Sequence, residues 1–151
     1  MIYLAADHRG FQLKEHIKKH LSAIGFIVED IGAFEYEKDD DYPDFSSAAA
    51  QKVSENPASD KAVIICGSGH GVDIVANKFK GVRAALCFNR QVAQQSREHE
   101  DANILVLASD WLSPEEAKDI INIWFASNFD GADRNIRRLK KLQEIEERNF
   151  K

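Results

Sequence analysis

Residues 61–78 read KAVIICGSGHGVDIVANK and contain one complete unit of strand, turn and helix. KAVIIC is an apolar run typical of a buried strand, and the glycines that follow it predict a tight turn. The segment after the turn has the pattern of a helix. A strand that leads through a turn into a helix is typical of a parallel sheet covered by helices, so we expect an α/β fold.

The same alternation of strand and helix patterns extends in both directions along the chain. Strands are predicted at 2–6, 26–31, 61–66, 81–86 and 103–108, and helices at 11–24, 42–54, 71–78, 89–98, 114–127 and from about 133 to 149. A chain of 151 residues is long enough for one compact domain, spanning 1–151, whose core needs no disulfide or metal.

The composition excludes several classes of protein. Lys and Arg number 20 against 25 Asp and Glu, a net charge of −5 that argues against a broad nucleic-acid surface. The apolar runs are too short to span a bilayer, and the N-terminus lacks a signal-peptide pattern. Cys66 and Cys87 have no CxxC spacing, which predicts free thiols in a reducing compartment, with Cys87 in the core. We therefore expect a cytoplasmic protein with neither a nucleic-acid nor a membrane partner.

Polar residues follow two of the predicted strands. Asp7 and His8 come directly after the first strand, and residues 66–71 end and follow the third. Ligands of open parallel sheets bind beyond the carboxyl ends of the strands, so these residues are candidates for a site. His99 and the residues after it stand before the fifth strand, so only folding can bring them near the others. Histidines suit acid–base chemistry near neutral pH.

The segment CGSGHGVD, residues 66–73, has two interpretations. Its three glycines let the backbone approach a ligand closely, and N–H groups at the start of a helix would then bind an anion. The spacing matches neither the dinucleotide-binding motif nor the Cys-x5-Arg loop of tyrosine phosphatases. The alternative is a tight turn around a buried cysteine. The density of glycines around Ser68 favours the anion site.

The C-terminal segment is basic in an otherwise acidic chain. From Arg134 to Lys151 there are seven basic residues and three acidic ones. Arg134 and Arg138 are four residues apart, so both guanidinium groups lie on one face of a helix and can clamp a phosphate. A solvated helix face is the alternative interpretation. The same helix carries an apolar stripe that we expect to pack on another subunit, formed by Leu139, Leu142 and Ile145.

Four stretches together resemble the ribose-5-phosphate isomerase B family, which includes the galactose-6-phosphate isomerase subunits. The resemblance extends over nearly the whole chain, and the stretches that carry it are AADHRGF (5–11), DYP (41–43), ICGSGHGVDIVANKFKGVRAAL (65–86) and SREHEDANILVL (96–107). The resemblance implies a Rossmann-like three-layer α/β/α sandwich with a five-stranded parallel sheet. It also implies an active site between the two subunits of a homodimer, with a tetramer of two such dimers as the alternative assembly. The implied substrate is a sugar phosphate, and neither a metal nor an organic cofactor is implied.

The resemblance implies catalytic roles for four residues. Cys66 corresponds to the base that removes the proton α to the carbonyl, and the start of the following helix would promote its thiolate form. Ser68 relays protons between the two substrate oxygens. His99, with Asp7, opens the sugar ring. The enediolate then binds to backbone N–H groups. The implied substrate-binding residues are His8, Gly67, Gly69, Gly71, Glu100, Asn103, Arg134 and Arg138.

Three residues differ from the pattern of that family. Glu100, Asp110 and Asn135 stand where an asparagine, an arginine and a histidine are usual. Two of these changes add negative charge, and a carboxylate within about 6 Å of a phosphate opposes its binding unless a cation intervenes. A neighbour such as Arg137 would then assist the two arginines. The predicted reaction is the interconversion of ribose 5-phosphate and ribulose 5-phosphate. A hexose 6-phosphate isomerase and a non-catalytic sugar-phosphate-binding domain are the alternatives.

Overall fold

The computed structural model describes residues 1–150, so Lys151, part of the predicted domain 1–151, lies outside the described residues. Five parallel strands form one sheet in the order β2-β1-β3-β5-β4. The strands are β1 (Ile2–Ala6), β2 (Val28–Gly32), β3 (Lys61–Cys66), β4 (Ala84–Leu86) and β5 (Ile104–Ala108). The helices are α1 (Phe11–Ala23), α2 (Tyr42–Glu55), α3 (His70–Ala76), α4 (Arg90–Glu100), α5 (Pro114–Ala126) and α6 (Asp133–Asn149).

Alternate residues of each strand face two separate apolar cores, one on each side of the sheet. In β5, Leu105 and Leu107 pack with α1, α4 and α5, whereas Ile104 and Val106 pack with α2 and α3. All four of these side chains are fully buried. The predicted three-layer α/β/α sandwich with a five-stranded parallel sheet is therefore confirmed.

Two strands begin two or three residues later than the sequence predicts, because turns use the first residues of the predicted strands. After α1, the Phe26 N–H donates to the Leu21 carbonyl and the Gly25 N–H donates to the Ser22 carbonyl, a Schellman motif that delays β2 to Val28. Before β4, the Val82 N–H donates to the Phe79 carbonyl, so Gly81 and its neighbours form a turn and the strand has only three residues.

A buried cation fixes the end of β2 to α1. The Lys14 side chain is fully buried, and its Nζ donates to both carboxylate oxygens of Asp30 at 2.7 and 2.8 Å. The same Nζ donates to the Ala33 carbonyl at 2.6 Å. Burial alone would raise the pKa of Asp30, but the hydrogen bonds from Lys14 and Lys18 outweigh it and lower the pKa. This network fixes the start of the loop that leads to α2.

The last helix, α6, contacts α4 and the turn before β4 and keeps much of its apolar side exposed. Its Glu146 carboxylate accepts the Gly81 N–H at 3.1 Å. Ile136 and Ile145 are about half exposed, at 51% and 50%. Within residues 1–150, none of the helices combines the length and the apolar character that a membrane crossing requires.

Candidate active site

The predicted site residues lie in two groups at opposite edges of the sheet. Cys66 ends β3 and pairs with Ala108 at the end of β5, and Asp7 follows β1. His99 lies in the last turn of α4, before Ile104 begins β5. At about 3.3 Å per residue, the four steps from Ile104 to Ala108 separate the two edges by about 13 Å. One chain therefore does not bring His99 to Cys66.

We call these sets of residues the carboxyl-edge group and the amino-edge group. The carboxyl-edge group consists of Asp7, His8, Cys66, Gly67, Ser68, Gly69 and Gly71. The amino-edge group consists of His99, Glu100, Asn103, Arg134 and Arg138.

Cys66 lies at the base of the carboxyl-edge group and is 5% exposed. Its Sγ accepts the Gly69 N–H at 3.1 Å. Burial raises the pKa of the Cys66 thiol and the charge of Asp7 adds to this rise, although backbone N–H groups of Gly69, Val72 and Ser68 oppose it. The expected promotion of the thiolate by the helix start is therefore not the net effect, because burial outweighs these three N–H groups.

The turn after Cys66 has no room for side chains at two of its glycines. Gly69 has a φ of +77°, and a Cβ there would lie 2.4 Å from the Leu86 side chain. A Cβ on Gly71 would lie 2.6 Å from the ring of Tyr42. The structure thus has the tight turn around a buried cysteine, with the Gly69 N–H directed at its sulfur. The anion site at this turn stays a prediction. Ser68 is partly buried, with its Oγ 3.4 Å from the His70 N–H.

Asp7 and His8 meet an acidic residue that the sequence analysis did not select. Asp7 is buried and accepts the Gly10 N–H at 2.9 Å. Burial raises the pKa of Asp7, and the charge of Asp40 adds to that rise, while the bond from Gly10 and the charge of His8 oppose it. Oδ1 of Asp40 accepts the His8 N–H at 3.0 Å and lies 2.6 Å from Nδ1 of the ring.

The same three residues have the spacing of a metal site. Ligand atoms of Asp7, His8 and Asp40 all lie within 4.8 Å of one another. In the structure, hydrogen bonds use Nδ1 of His8 and one oxygen of each carboxylate. The absence of a metal requirement remains a prediction from the family resemblance.

Asp110 is paired with a cation that the sequence analysis also missed. The Arg9 guanidinium donates to the Asp110 carboxylate, and it covers Gly67, where a Cβ would lie 2.4 Å from its central carbon. The Asp110 N–H donates to the Gly67 carbonyl at 3.0 Å. Ser109 completes the contact, because its Oγ donates to the Arg9 carbonyl at 2.9 Å. The negative charge that Asp110 brings to this edge is therefore countered by Arg9.

In the amino-edge group, the charges of His99 and Arg134 act on a common carboxylate, that of Asp130. The N–H of Ala132 and the side chain of Asn135 lower the pKa of Asp130, and the charges of His99 and Arg134 lower it further. The Asp130 N–H also ties this loop to the end of α4 through the Glu98 carbonyl, at 3.0 Å.

Asn135 connects Arg138 to the same carboxylate of Asp130 through hydrogen bonds. Asn135 is 1% exposed, and its Nδ2 donates to both Asp130 oxygens at 3.1 and 2.9 Å. Its Oδ1 accepts from Arg138 at 3.3 Å. Arg134, Arg137, Arg138 and Glu100 are exposed, so their charged ends are open to a ligand or to another subunit.

The buried side chain of Asn103 makes hydrogen bonds within the fold and is not part of an exposed binding surface. Its side chain is 2% exposed, and both N–H groups of its amide are used, donating to the carbonyls of Pro57 and Gly81. Its Oδ1 accepts the Arg83 N–H at 2.8 Å. These bonds leave no free donor for a substrate, so the structure does not support the predicted contact. Asn103 instead joins the turn before β4 to the loop before β3.

An α/β sandwich with polar groups at the carboxyl edge of its parallel sheet is typical of enzymes that bind small molecules. Residues 2–142 match the model of the Ribose/Galactose Isomerase family, and the chain belongs to that family. The probable ribose-5-phosphate isomerase B of Mycoplasma genitalium is 40% identical over 141 residues, which are 93% of this chain and 92% of that protein. The ribose-5-phosphate isomerase B of Escherichia coli K12 is 38% identical over 147 residues, 97% of each chain.

Solved structures agree with this assignment. The crystal structure of ribose-5-phosphate isomerase B from Mycoplasma genitalium with bound ribulose-5-phosphate has a TM-score of 0.94 to this chain, at 40% identity, and covers 97% of this chain and 95% of that one. The Clostridium thermocellum ribose-5-phosphate isomerase B has a TM-score of 0.92, at 39% identity and 97% coverage of both chains.

Proposed function

We propose that this protein is an aldose–ketose isomerase that interconverts ribose 5-phosphate and ribulose 5-phosphate. The observation that carries the proposal is the TM-score of 0.94 to an enzyme with bound ribulose-5-phosphate, at 40% identity. The carboxyl-edge group adds chemical support, because it joins a thiol, a hydroxyl and a carboxyl group to a loop of backbone N–H donors.

In the proposed reaction, the Cys66 thiolate takes the proton from C2 of the open-chain aldose and returns it to C1. Negative charge develops on the oxygens of the intermediate cis-enediolate, and N–H groups of residues 67–71 stabilise it. The Ser68 hydroxyl both donates and accepts, so it moves a proton between O1 and O2. The raised pKa of Asp7 suits it to assist His99 in opening the sugar ring.

We further propose that the complete site forms between two copies of the chain. The distance of about 13 Å between the two edges supports this, because Cys66 and His99 have to act on one small substrate. The exposed apolar side of α6, with Ile136 and Ile145, supplies a surface for the second copy. In a two-fold dimer, the amino-edge group of each chain completes the carboxyl-edge group of the other, and Arg134 and Arg138 bind the phosphate. The two free thiols favour the cytoplasm as its location.

A hexose 6-phosphate is the second candidate substrate. The observation that favours it is Glu100, an exposed carboxylate next to His99 that would accept a hydrogen bond from an additional sugar hydroxyl. Asp110 gives this alternative less support, because its charge is paired with Arg9.

Proton exchange tests the proposed function directly. Wild-type protein in D2O should convert ribose 5-phosphate to ribulose 5-phosphate and introduce deuterium next to the carbonyl, which NMR detects. Cys66→Ala should lower this rate about 10²- to 10⁴-fold, the usual contribution of a general base. Cys87→Ala, which changes the other cysteine, should retain the wild-type rate.

Three results would contradict parts of this proposal. Equal rates in wild type and Cys66→Ala would exclude Cys66 as the base. A higher kcat/KM for galactose 6-phosphate than for ribose 5-phosphate would favour the hexose alternative. Thermal stabilisation by ribose 5-phosphate without any exchange would indicate a binding domain and not an enzyme.

A further inference from the structure

Asp40 lies in the loop between β2 and α2 and reaches across to His8, 32 residues earlier in the chain. One of its oxygens, Oδ1, accepts the His8 backbone N–H at 3.0 Å and lies 2.6 Å from Nδ1 of the ring. The Asp40 side chain is 6% exposed, whereas the His8 side chain is 24% exposed. The contact is therefore covered on the Asp40 side and open on the histidine side.

This contact determines which ring nitrogen of His8 is free. A carboxylate only accepts hydrogen bonds, so Nδ1 has to donate, and Nε2 is the nitrogen that remains for a ligand. Because the same oxygen also holds the backbone of His8, the bond fixes the direction of the ring as well as its tautomer. Carboxylates orient histidine ligands of metal sites in the same way.

The second oxygen of the Asp40 carboxylate lies in an unfavourable environment. Its Oδ2 is buried and has no hydrogen-bond partner among residues 1–150. Asp7, a second carboxyl group, lies within 4.8 Å of the cluster atoms of Asp40 and His8. Burying an unpaired oxygen beside a second negative charge is unfavourable. If this residue served only to shape the loop, a neutral side chain at its position would make the protein more stable. The hydrogen bond from Nδ1 of His8 is the contact that a carboxylate, as a charged acceptor, makes stronger than a neutral acceptor would.

We propose that Asp40 is a positioning residue, which holds His8 with Nδ1 protonated and presents the unprotonated Nε2 as an acceptor to a hydroxyl group of the sugar. The proposal rests on the proposed function, because His8 meets a sugar phosphate only if the protein binds one. Asp40 itself touches no substrate and acts through the ring of His8. Its loss should therefore weaken substrate binding more than it slows the chemical step.

The test combines NMR of the histidine ring with steady-state kinetics. In 15N-labelled wild-type protein, His8 should be protonated on Nδ1. Asp40→Ala should shift His8 toward the Nε2-protonated tautomer and raise the KM for ribose 5-phosphate about 10-fold, the size expected for one lost hydrogen bond, with kcat within about 3-fold. In a His8→Ala background, Asp40→Ala should not raise KM further, because the two residues act as one unit. Asp39→Ala, which removes an exposed charge from the same loop, is the matched control.

A second variant keeps the test decisive if Asp40→Ala does not fold. Asp40→Asn retains an oxygen, so the tautomer should stay the same while the Nδ1 proton signal moves upfield, since a neutral acceptor makes a weaker bond. The proposal is overturned if neither Asp40 variant alters the His8 signals, if Asp39→Ala raises KM equally, or if Asp40→Ala raises KM in the absence of His8. Failure of the proposed function is distinct: wild-type protein would then not convert the sugar, while the NMR comparison would still decide the role of Asp40.

Discussion

Mixing two inactive variants will show whether the active site is shared between subunits. Cys66→Ala damages the carboxyl-edge group, and His99→Ala damages the amino-edge group, about 13 Å away in the same chain. Dimers of either variant alone contain only damaged sites. In a mixed dimer, the chain with an intact Cys66 meets the partner with an intact His99, so one site of the two is complete and the other carries both changes.

The stoichiometry of the dimer gives the expected activity. Random exchange between equal amounts of the two variants makes half of the dimers mixed, and half of the sites in a mixed dimer are intact. Activity should therefore recover to about one quarter of the wild-type value per subunit, because the two active sites of a two-fold dimer are equivalent. An excess of either variant should reduce the recovery, so a plot against the mixing ratio has its maximum at equal amounts.

The assay is conversion of ribose 5-phosphate after the two variants have been unfolded together in urea and refolded, with native mass spectrometry to count mixed dimers. The matched control is a mixture of Cys66→Ala with Asp7→Asn, since both changes affect the carboxyl-edge group and no complete site can form. No recovery despite abundant mixed dimers would refute the shared site. Recovery in the control as well would refute the assignment of residues to the two edges.

Three further predictions concern the residues that hold the site. Gly69→Ala should destabilise the protein by about 3 kcal/mol in urea unfolding and abolish activity, because the new Cβ combines a left-handed backbone with a 2.4 Å contact. Lys14→Met should lower the free energy of unfolding by about 3 kcal/mol, because it leaves the partly buried carboxylate of Asp30 without one of its two cations. Asp7→Asn should lower the pH at which iodoacetamide alkylates Cys66, because removing the negative charge of Asp7 lowers the pKa of the thiol, and peptide mass spectrometry measures this reaction.

Each of these predictions has a control within the chain. Gly131→Ala, at a φ of +65° and with open space around the new Cβ, should cost only about 1 kcal/mol. Lys19→Met removes an exposed lysine from the same helix and should change stability by less than about 0.5 kcal/mol. Cys87, whose pKa burial raises to about 11, should stay unreacted over the same pH range. Equal effects of a variant and its control would contradict the corresponding prediction.

The sequence predicts the fold closely, because strand and helix patterns depend on local periodicity. β1 and β3 have the predicted bounds, 2–6 and 61–66, since each is a short apolar run that enters a buried sheet. The start of β2 was wrong by two residues, because the Schellman motif after α1 uses Phe26, an apolar residue that fits a strand equally well. The predicted β4, 81–86, was too long, because in the sequence Gly81 directly precedes an apolar run and was included in the strand.

The carboxyl-edge group was accessible to sequence reasoning for a different reason. Asp7 and Cys66 stand directly at the ends of strands, where a general rule for parallel sheets places ligands. Asp40 was missed because it lies in an acidic stretch that reads as solvated loop, and its contact to His8 joins residues 32 positions apart. No local pattern reports such a contact. The separation of His99 from Cys66 could not be predicted locally either, because it depends on α4 running back to the amino-terminal end of β5.

The pairing of Arg9 with Asp110 also bears on how members of this family evolve. The two residues are 101 positions apart, yet they share one ion pair over the Gly67 peptide. A mutation of either alone would leave an uncompensated charge beside the loop, so the residue tolerated at one position depends on the residue at the other. Chains with an acidic residue at the position of Asp110 are thus expected to carry a basic one at the position of Arg9.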